Sequence, residues 1–315
     1  MKNSPFFSVV IPVYNKGPHI HRSISSVLNQ TFQDFELILV NDASTDNSQE
    51  EIEKFKDKRI SLYHREEPGP GGYAARNRGI EKAKGEWIAF LDADDEWYPN
   101  HLEKMHELAQ KYPEVYFISC GWETQNNGMK KENEFYKTFK ENETLNISVE
   151  EYLKAGIKRK LPVWTSVACV RKISPVAANL FPADLGAKRG GDLHAWLKLN
   201  CHHKRMAWSN HIGAIYYLDS INMVTGNADF STTLMGKEIY VTLSENLKKR
   251  EKELLKRYLN LRLLSTLIGR KSRKQNYTDV LKTFYWKNNY YFAFRVLIIS
   301  LMPIHFLYSI KTKSK

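Results

Sequence analysis

Residues 35–48 read FELILVNDASTDNS. The first six are apolar except Glu36, a run of the length and composition of a strand buried on both faces. The next eight are Asn, Asp, Ser and Thr around one alanine. Those residues turn the chain and cap helices. A buried strand ending in such a loop, with a polar but helix-compatible segment after it, is half of a strand–helix–strand unit.

The same pattern recurs on either side. Upstream, residues 7–12 (FSVVIP) form a strand run, and Ile20, Ile24, Val27 and Leu28 follow at helical spacing. Downstream come a strand at 60–64, a Pro/Gly loop at 66–72, a helix over 74–83 and a strand at 87–91 that ends in Asp92-Ala93-Asp94-Asp95. A helix over about 101–111 and a strand at 115–119 close this half. Repeated units of this kind predict an α/β fold: a mostly parallel sheet with helices on both faces. Ligands of such sheets sit at the carboxyl ends of the strands, where Tyr14-Asn15, Asp42 and Asp92 to Asp95 all fall.

The 315 residues are enough for one large α/β domain with an appendage, and 42 % hydrophobic residues is a globular composition. Residues 1–10 lack the pattern of a secretory leader. The three cysteines, Cys120, Cys169 and Cys201, are widely spaced with no C-x-x-C pair. That argues against a disulfide framework or a zinc site and fits a reducing cytoplasm. Cys201-His202-His203 are adjacent on one element and poorly placed to converge on one ion. From residue 246 to 315 there are 17 Lys and Arg against three acids, a net +14, while the chain as a whole carries +12. The basic tail is therefore a separate unit facing an acidic partner, nucleic acid or anionic lipid.

Residues 123–146 are polar and aperiodic, and are expected to be a long loop or weak helix. Ser148 with Glu151 forms a capping box that starts a helix. A strand at 166–171, a helix from near Asp192 and a strand at 212–218 follow, and from about Phe230 the chain is basic and helical. Residues 290–310 hold one charge, Arg295, in 21 residues. They are long enough to span a bilayer. Arg295, Pro303 and His305 fit better with a broken helix lying in the interface, with Lys311, Lys313 and Lys315 at the headgroups. The alternative is a core helix. The apolar run and its aromatic cluster favour lipid over nucleic acid.

The acids carry the sharpest chemistry. Three carboxylates at a strand end repel one another unless a cation relieves them. Mg²⁺ or Mn²⁺ suits carboxylate oxygens and binds phosphate as well; an acidic turn in solvent is the plain alternative. Asp42 is either a helix cap or an acceptor for a base or ribose. Gly69 to Ala74 (GPGGYA) has the outline of a dinucleotide fingerprint, weakened by Pro70 and by the residues separating it from the strand. Arg76 is placed to face a diphosphate, unless it and Arg78 are both surface charges. Asp192, after Gly190-Gly191, reads as a cap or dipole partner of a helix start.

Five segments occur together and in order: SVVIPVYN (8–15), SSVLNQTF (25–32), FELILVNDASTDNS (35–48), ARNRGI (75–80) and LDADD (91–95). As a set they resemble the family 2 glycosyltransferases, which have the GT-A fold. The likeness is dense over residues 7–99 and thins to about residue 225. It implies a nucleotide-sugar-binding half over 1–118, an acceptor-binding half over 119–228 and a basic helical tail over 229–315. It implies that Pro12, Tyr14, Asn15 and Asp42 hold the nucleoside of a donor, a UDP-sugar, with Arg76 near the diphosphate. Asp92 and Asp94 become the D-x-D pair, Asp94 the direct ligand of Mn²⁺ or Mg²⁺, and Asp192 the acceptor-side base. Relatives commonly carry Glu-Asp where this chain has Gly191-Asp192. The Q-x-x-R-W signature of processive relatives is absent, which implies transfer of a single sugar. The implied enzyme is an inverting transferase acting on a glycan or lipid-linked acceptor. The usual setting is surface-glycan assembly in the cytoplasm, at the inner face of the cell membrane, with no nucleic acid involved. Two other readings stay open: a nicotinamide-dependent oxidoreductase using the Gly69 loop, and a non-catalytic scaffold on the same fold.

Overall fold

The computed structural model describes residues 4–221, 230–286 and 290–301. The first half alternates as the hydrophobic pattern requires. Strand β1 (Phe7–Val13) leads to α1 (Gly17–Leu28), β2 (Phe35–Asp42) to α2 (Ser48–Glu53), and β3 (Ile60–Arg65) to α3 (Tyr73–Lys82). Then come β4 (Trp87–Phe90), a two-residue β5 (Glu96–Trp97), α4 (His101–Lys111) and β6 (Phe117–Asn126). The second half holds β7 (Met129–Glu132), β8 (Thr144–Ser148), α5 (Val149–Ile157), β9 (Cys169–Arg171), α6 (Gly191–His203) and β10 (Arg205–Tyr217). Four helices follow: α7 (Lys237–Ser244), α8 (Lys249–Ser272), α9 (Thr278–Thr283) and α10 (Tyr290–Leu301).

Among the described residues all ten strands join one sheet, ordered β3-β2-β1-β4-β9-β6-β10-β5, with β7 on β6 and β8 on β10. β1, β2, β3 and β4 pair in parallel, as do β6 and β10, while short β9 is antiparallel to both β4 and β6. The long strands therefore all point one way, and the sheet is mostly parallel. Side chains alternate between two cores, as a strand's two-residue period dictates. Val9 and Ile11 of β1 with Leu37 and Leu39 of β2 pack under Ile20, Ile24, Leu102 and Met105 of α1 and α4. Val10, Ile38 and Val40 face the opposite core, with Tyr73, Tyr152 and Trp196 of α3, α5 and α6.

The tail continues this second core. Leu255, Tyr258, Leu259, Leu263 and Leu267 of α8 belong to the same cluster as Trp196, with Phe284, Phe292, Val296 and Ile299 beyond. A Cβ on Gly156 of α5 would lie 2.4 Å from the Tyr258 ring. Only glycine lets α5 and α8 approach so closely. The fully buried Asn260 donates to the Tyr285 carbonyl at 3.0 Å and accepts from its N–H at 2.9 Å, fastening the chain beyond α9 to α8. Among the described residues no helix is long and apolar enough to cross a membrane. Of the apolar run at 290–310, α10 is described, and residues 302–310 lie outside the described residues.

One expectation holds only in part. Within 123–146, residues 133–143 are a loop with a 3₁₀ turn at Tyr136–Thr138, but β6 runs on to Asn126, turns at Asn127-Gly128 and returns as β7, and β8 closes the segment. Asn127 (φ 48°) and Gly128 (φ 79°) are both left-handed, as a tight hairpin needs. All four β7 residues are exposed, so no apolar alternation marks the strand. Two boundaries also move. β9 begins at Cys169, after a 3₁₀ turn over Thr165–Val167, and β10 begins at Arg205 rather than 212. The capping box at Ser148 and Glu151 is formed as expected.

Candidate active site

β1, β2 and β4 are neighbours in register, so the loops leaving their carboxyl ends meet at one edge of the sheet. Asn15 bends there with φ 50°. Its N–H donates to Ser44 Oγ at 3.1 Å, and its Oδ1 accepts from the Thr45 N–H at 2.7 Å. Asn15 thus latches the loop after β1 to the loop after β2. Tyr14 beside it is 45 % exposed, the open ring of this wall. Pro12 lies against Gly72, one of two consecutive left-handed glycines.

Asp42 ends β2, and both its oxygens are engaged. Arg65 Nη1 bonds Oδ1, and the Gly69 N–H donates to Oδ2 at 3.1 Å. Burial raises its carboxyl above the ordinary value, opposed by the Gly69 N–H and Arg65. Asp42 and Arg65 are register partners on β2 and β3. Strand pairing was the one signal for Arg65, and the sequence does not print it. The Gly69 loop closes as a 3₁₀ turn over Pro70–Gly72. Its first N–H is held by Asp42 rather than offered to a pyrophosphate.

The acids after β4 are each partnered differently. Asp92 pairs with Arg76, which also donates to the Gly71 carbonyl at 2.9 Å. Arg76 is buried; desolvation works against its charge, but Asp92, with Asp192 and Tyr73, outweighs it and leaves the pKa raised. The surface reading thus fails for Arg76 and holds for Arg78, which pairs with Glu81 at 2.7 Å in solvent. Asp94 accepts from Lys16 Nζ at 2.6 Å, and its carbonyl accepts from Arg22 Nη2 at 2.5 Å. Asp95 turns into the core, accepting from Ser166 Oγ at 2.6 Å. Burial first, then Asp94 and Asp92, raise its carboxyl well above the usual range.

Asp192 lies one residue into α6, with Gly190 (φ 94°) at the cap position. It is therefore not the cap. Burial raises its carboxyl, opposed by the Leu193 N–H and the Arg76 charge, while Asp92 adds to the rise. Asp192, Arg76 and Asp92 thus share one electrostatic neighbourhood. Tyr73 brings them there: its hydroxyl, at the start of α3, accepts from the Gly191 N–H at 2.9 Å. Burial, then Asp192, push the Tyr73 phenol up to about 12, so it stays protonated. Tyr73, Lys16, Arg22 and Ser166 were missed in the sequence because each acts on a partner far along the chain.

Among the described residues no group of three or more His, Cys, Asp or Glu is arranged as a metal cage. The donor set still fits Mg²⁺ or Mn²⁺. Such ions are commonly held by one or two carboxylates plus substrate phosphates, and Asp94 and Asp92, both part-exposed after β4, could offer such a pair. Asp95, fully buried on Ser166, does not.

Residues 8–161 match the family model for Glycosyl transferase family 2. The glycosyltransferase GlyG of Streptococcus pneumoniae serotype 4 is 41 % identical over 110 residues, 34 % of this chain and 36 % of GlyG. The matched stretches span 14–44 % of the length of the curated relatives compared first. Residues 1–349 of S. aureus TarS, solved with UDP-GlcNAc, superpose with a TM-score of 0.72 at 20 % identity, covering 86 % of this chain and 76 % of that one. The mannosyltransferase PcManGT from Pyrobaculum calidifontis, solved with GDP-Man and Mn²⁺, gives 0.54 at 18 % identity over 90 % of this chain and 80 % of its own. At those identities the likeness is one of fold. Residues 8–161, just under half of the chain, are thus similar to glycosyl transferase family 2, on a fold like that of TarS.

Proposed function

We propose that the chain is an inverting glycosyltransferase. It moves one sugar from a nucleotide-diphosphate donor, a UDP-sugar, to a hydroxyl of a glycan or lipid-linked acceptor. The observation that carries this reading is the Tyr73–Gly191 bond, which brings the start of α6, with Asp192, to the start of α3, with the Arg76–Asp92 pair. A base and a diphosphate-facing cation would then stand on the same side of the sheet.

In this reading residues 1–118 bind the donor and 119–228 the acceptor. Tyr14 covers the base, and Pro12, Asn15 and Asp42 shape its wall. The Asp192 carboxylate takes the acceptor's hydroxyl proton. The oxygen attacks the anomeric carbon as the bond to the diphosphate breaks, and the leaving group keeps the electron pair. One displacement inverts that carbon. Arg76 faces the negative charge that grows on the diphosphate. A bound Mg²⁺ or Mn²⁺, held by Asp94 with Asp92, would neutralise part of the same charge. The Gly69 N–H is engaged by Asp42, which removes the support for the nicotinamide reading. A scaffold would have no need of the assembled base.

The tail supports a place at the cytoplasmic face of an anionic membrane. α10 turns Phe292, Val296 and Ile299 inward but leaves Phe294, Leu297 and Leu301 more than half exposed. An apolar outer face on a unit of net charge +14 suits a lipid surface.

Purified protein incubated with Mn²⁺ and a panel of nucleotide sugars, with lipid-linked and free glycan acceptors, tests the reading through acceptor-dependent release of nucleoside diphosphate. Absence of release across the panel would count against it.

A further inference from the structure

Lys16 sits at the cap position of α1, where its carbonyl accepts from the His19 and Ile20 N–H groups at 2.8 and 2.9 Å and its own N–H donates to Ser48 Oγ at 2.8 Å. The backbone is therefore pinned, and the side chain reaches from the end of β1 to the acids after β4. Its ammonium lies 2.6 Å from Asp94 Oδ2 and 2.8 Å from the Ile221 carbonyl. The side chains of Lys16 and Asp94 are only 12 % and 13 % exposed. This is not a solvated surface pair. Arg22, also on α1, holds the Asp94 carbonyl at 2.5 Å and stacks on Tyr217 at 3.5 Å.

We propose that Lys16 is the resting counter-ion of Asp94 and competes with the divalent cation for that carboxylate. The inference rests on the metal role given to Asp94 above. A divalent ion held by Asp94 would face the ammonium that now donates to Oδ2, and like charges that close in a largely desolvated site repel. The two cations therefore compete for the carboxylate. Displacing Lys16 leaves a largely desolvated ammonium without its carboxylate, which is costly. A nucleotide diphosphate removes that cost, because its oxygens accept the released ammonium and also complete the ion's ligand shell. Metal and diphosphate therefore bind together, each weakly alone. By linkage, each must strengthen the other by the same factor.

The test reads the metal, not turnover. The electron paramagnetic resonance signal of free Mn²⁺ gives its affinity for the full chain, without and with UDP, in the wild type, Lys16→Met and Lys16→Gln. Thermal melts confirm that the variants are folded. The expected result is weak Mn²⁺ binding to the wild type alone and marked tightening with UDP. Both variants should bind Mn²⁺ alone more tightly than the wild type, on the order of tenfold, with less further gain from UDP. If wild-type binding depends on UDP but the folded variants match the wild type without it, the Lys16 proposal is overturned and the metal reading stands. If the wild type binds no Mn²⁺ even with UDP, the metal reading falls, and this proposal with it.

Discussion

The Tyr73 hydroxyl accepts the Gly191 N–H at 2.9 Å, joining the first residue of α3 to the first residue of α6. The contact leaves no room for a side chain at position 191. A Cβ there would lie 2.6 Å from atoms of the Tyr73 ring. Gly191→Glu should destabilise the fold by about 1–3 kcal/mol, the usual cost of overpacking. Tyr73→Ala should relieve much of that cost in the double variant. Urea unfolding of the four proteins gives the coupling, and additive effects would show that the two residues do not share the space.

Asp192→Asn separates a base from a structural residue. Asparagine keeps the size and loses the proton acceptor. Transfer should fall by about 10²- to 10⁴-fold, with donor affinity retained by calorimetry. Near wild-type turnover would move the base elsewhere. The wild-type rate should also rise with pH along an acid limb set above the ordinary carboxylate value, since burial raises Asp192 and only the ionised form accepts a proton.

Asp94→Ala should leave a folded protein whose UDP affinity no longer responds to Mn²⁺. In the wild type, calorimetry should find UDP bound more tightly with Mn²⁺ than in chelator. Equal wild-type affinity in the two conditions would remove Asp94 from metal binding.

Phe294, Leu297 and Leu301 point outward, so a triple change to serine should spare the core while weakening sedimentation with anionic liposomes. Added salt should weaken it too, as expected of basic residues near charged lipid. A triple variant that sediments like the wild type would sink the lipid assignment of α10.

Buried histidines should make mild acid costly. Burial lowers His194, His203 and His211 to about 4 in the folded chain, against 6.5 unfolded. Between those values the unfolded chain binds more protons at these sites, so their contribution to stability is complete above pH 6.5 and falls as pH drops towards 4. The raised carboxyls of Asp42, Asp95 and Asp192 act in the opposite direction. Urea midpoints across this window, for the wild type and for a variant with the three histidines changed to Gln, check the sign; equal pH slopes in the two would contradict it.

What the sequence disclosed followed from pattern length and burial. Strands packed on both faces, such as β1 and β2, print as apolar runs, α4 prints its periodicity and α5 its capping box. The hairpin at Asn127-Gly128 was overlooked although Asn-Gly is a strong turn signal, because exposed β7 offers no apolar alternation. The acids of the site were visible because they cluster in sequence. Their partners were not: Lys16 is 78 residues from Asp94, and Gly191 is 118 from Tyr73. Nothing local in a lysine at a helix start or a tyrosine after glycines announces a contact made across the sheet.

The buried seam between α8 and α5 has a mechanical consequence. With Tyr258 seated over Gly156 and Asn260 clasping Tyr285, the tail is a bracket rather than a tether. A bracket transmits orientation. A surface that engaged α10 would therefore set the tilt and height of the α6 terminus that carries Asp192. Acceptors would then be sorted by how far their hydroxyl stands above that support, a ruler built from helix packing and independent of any contact with the sugar itself.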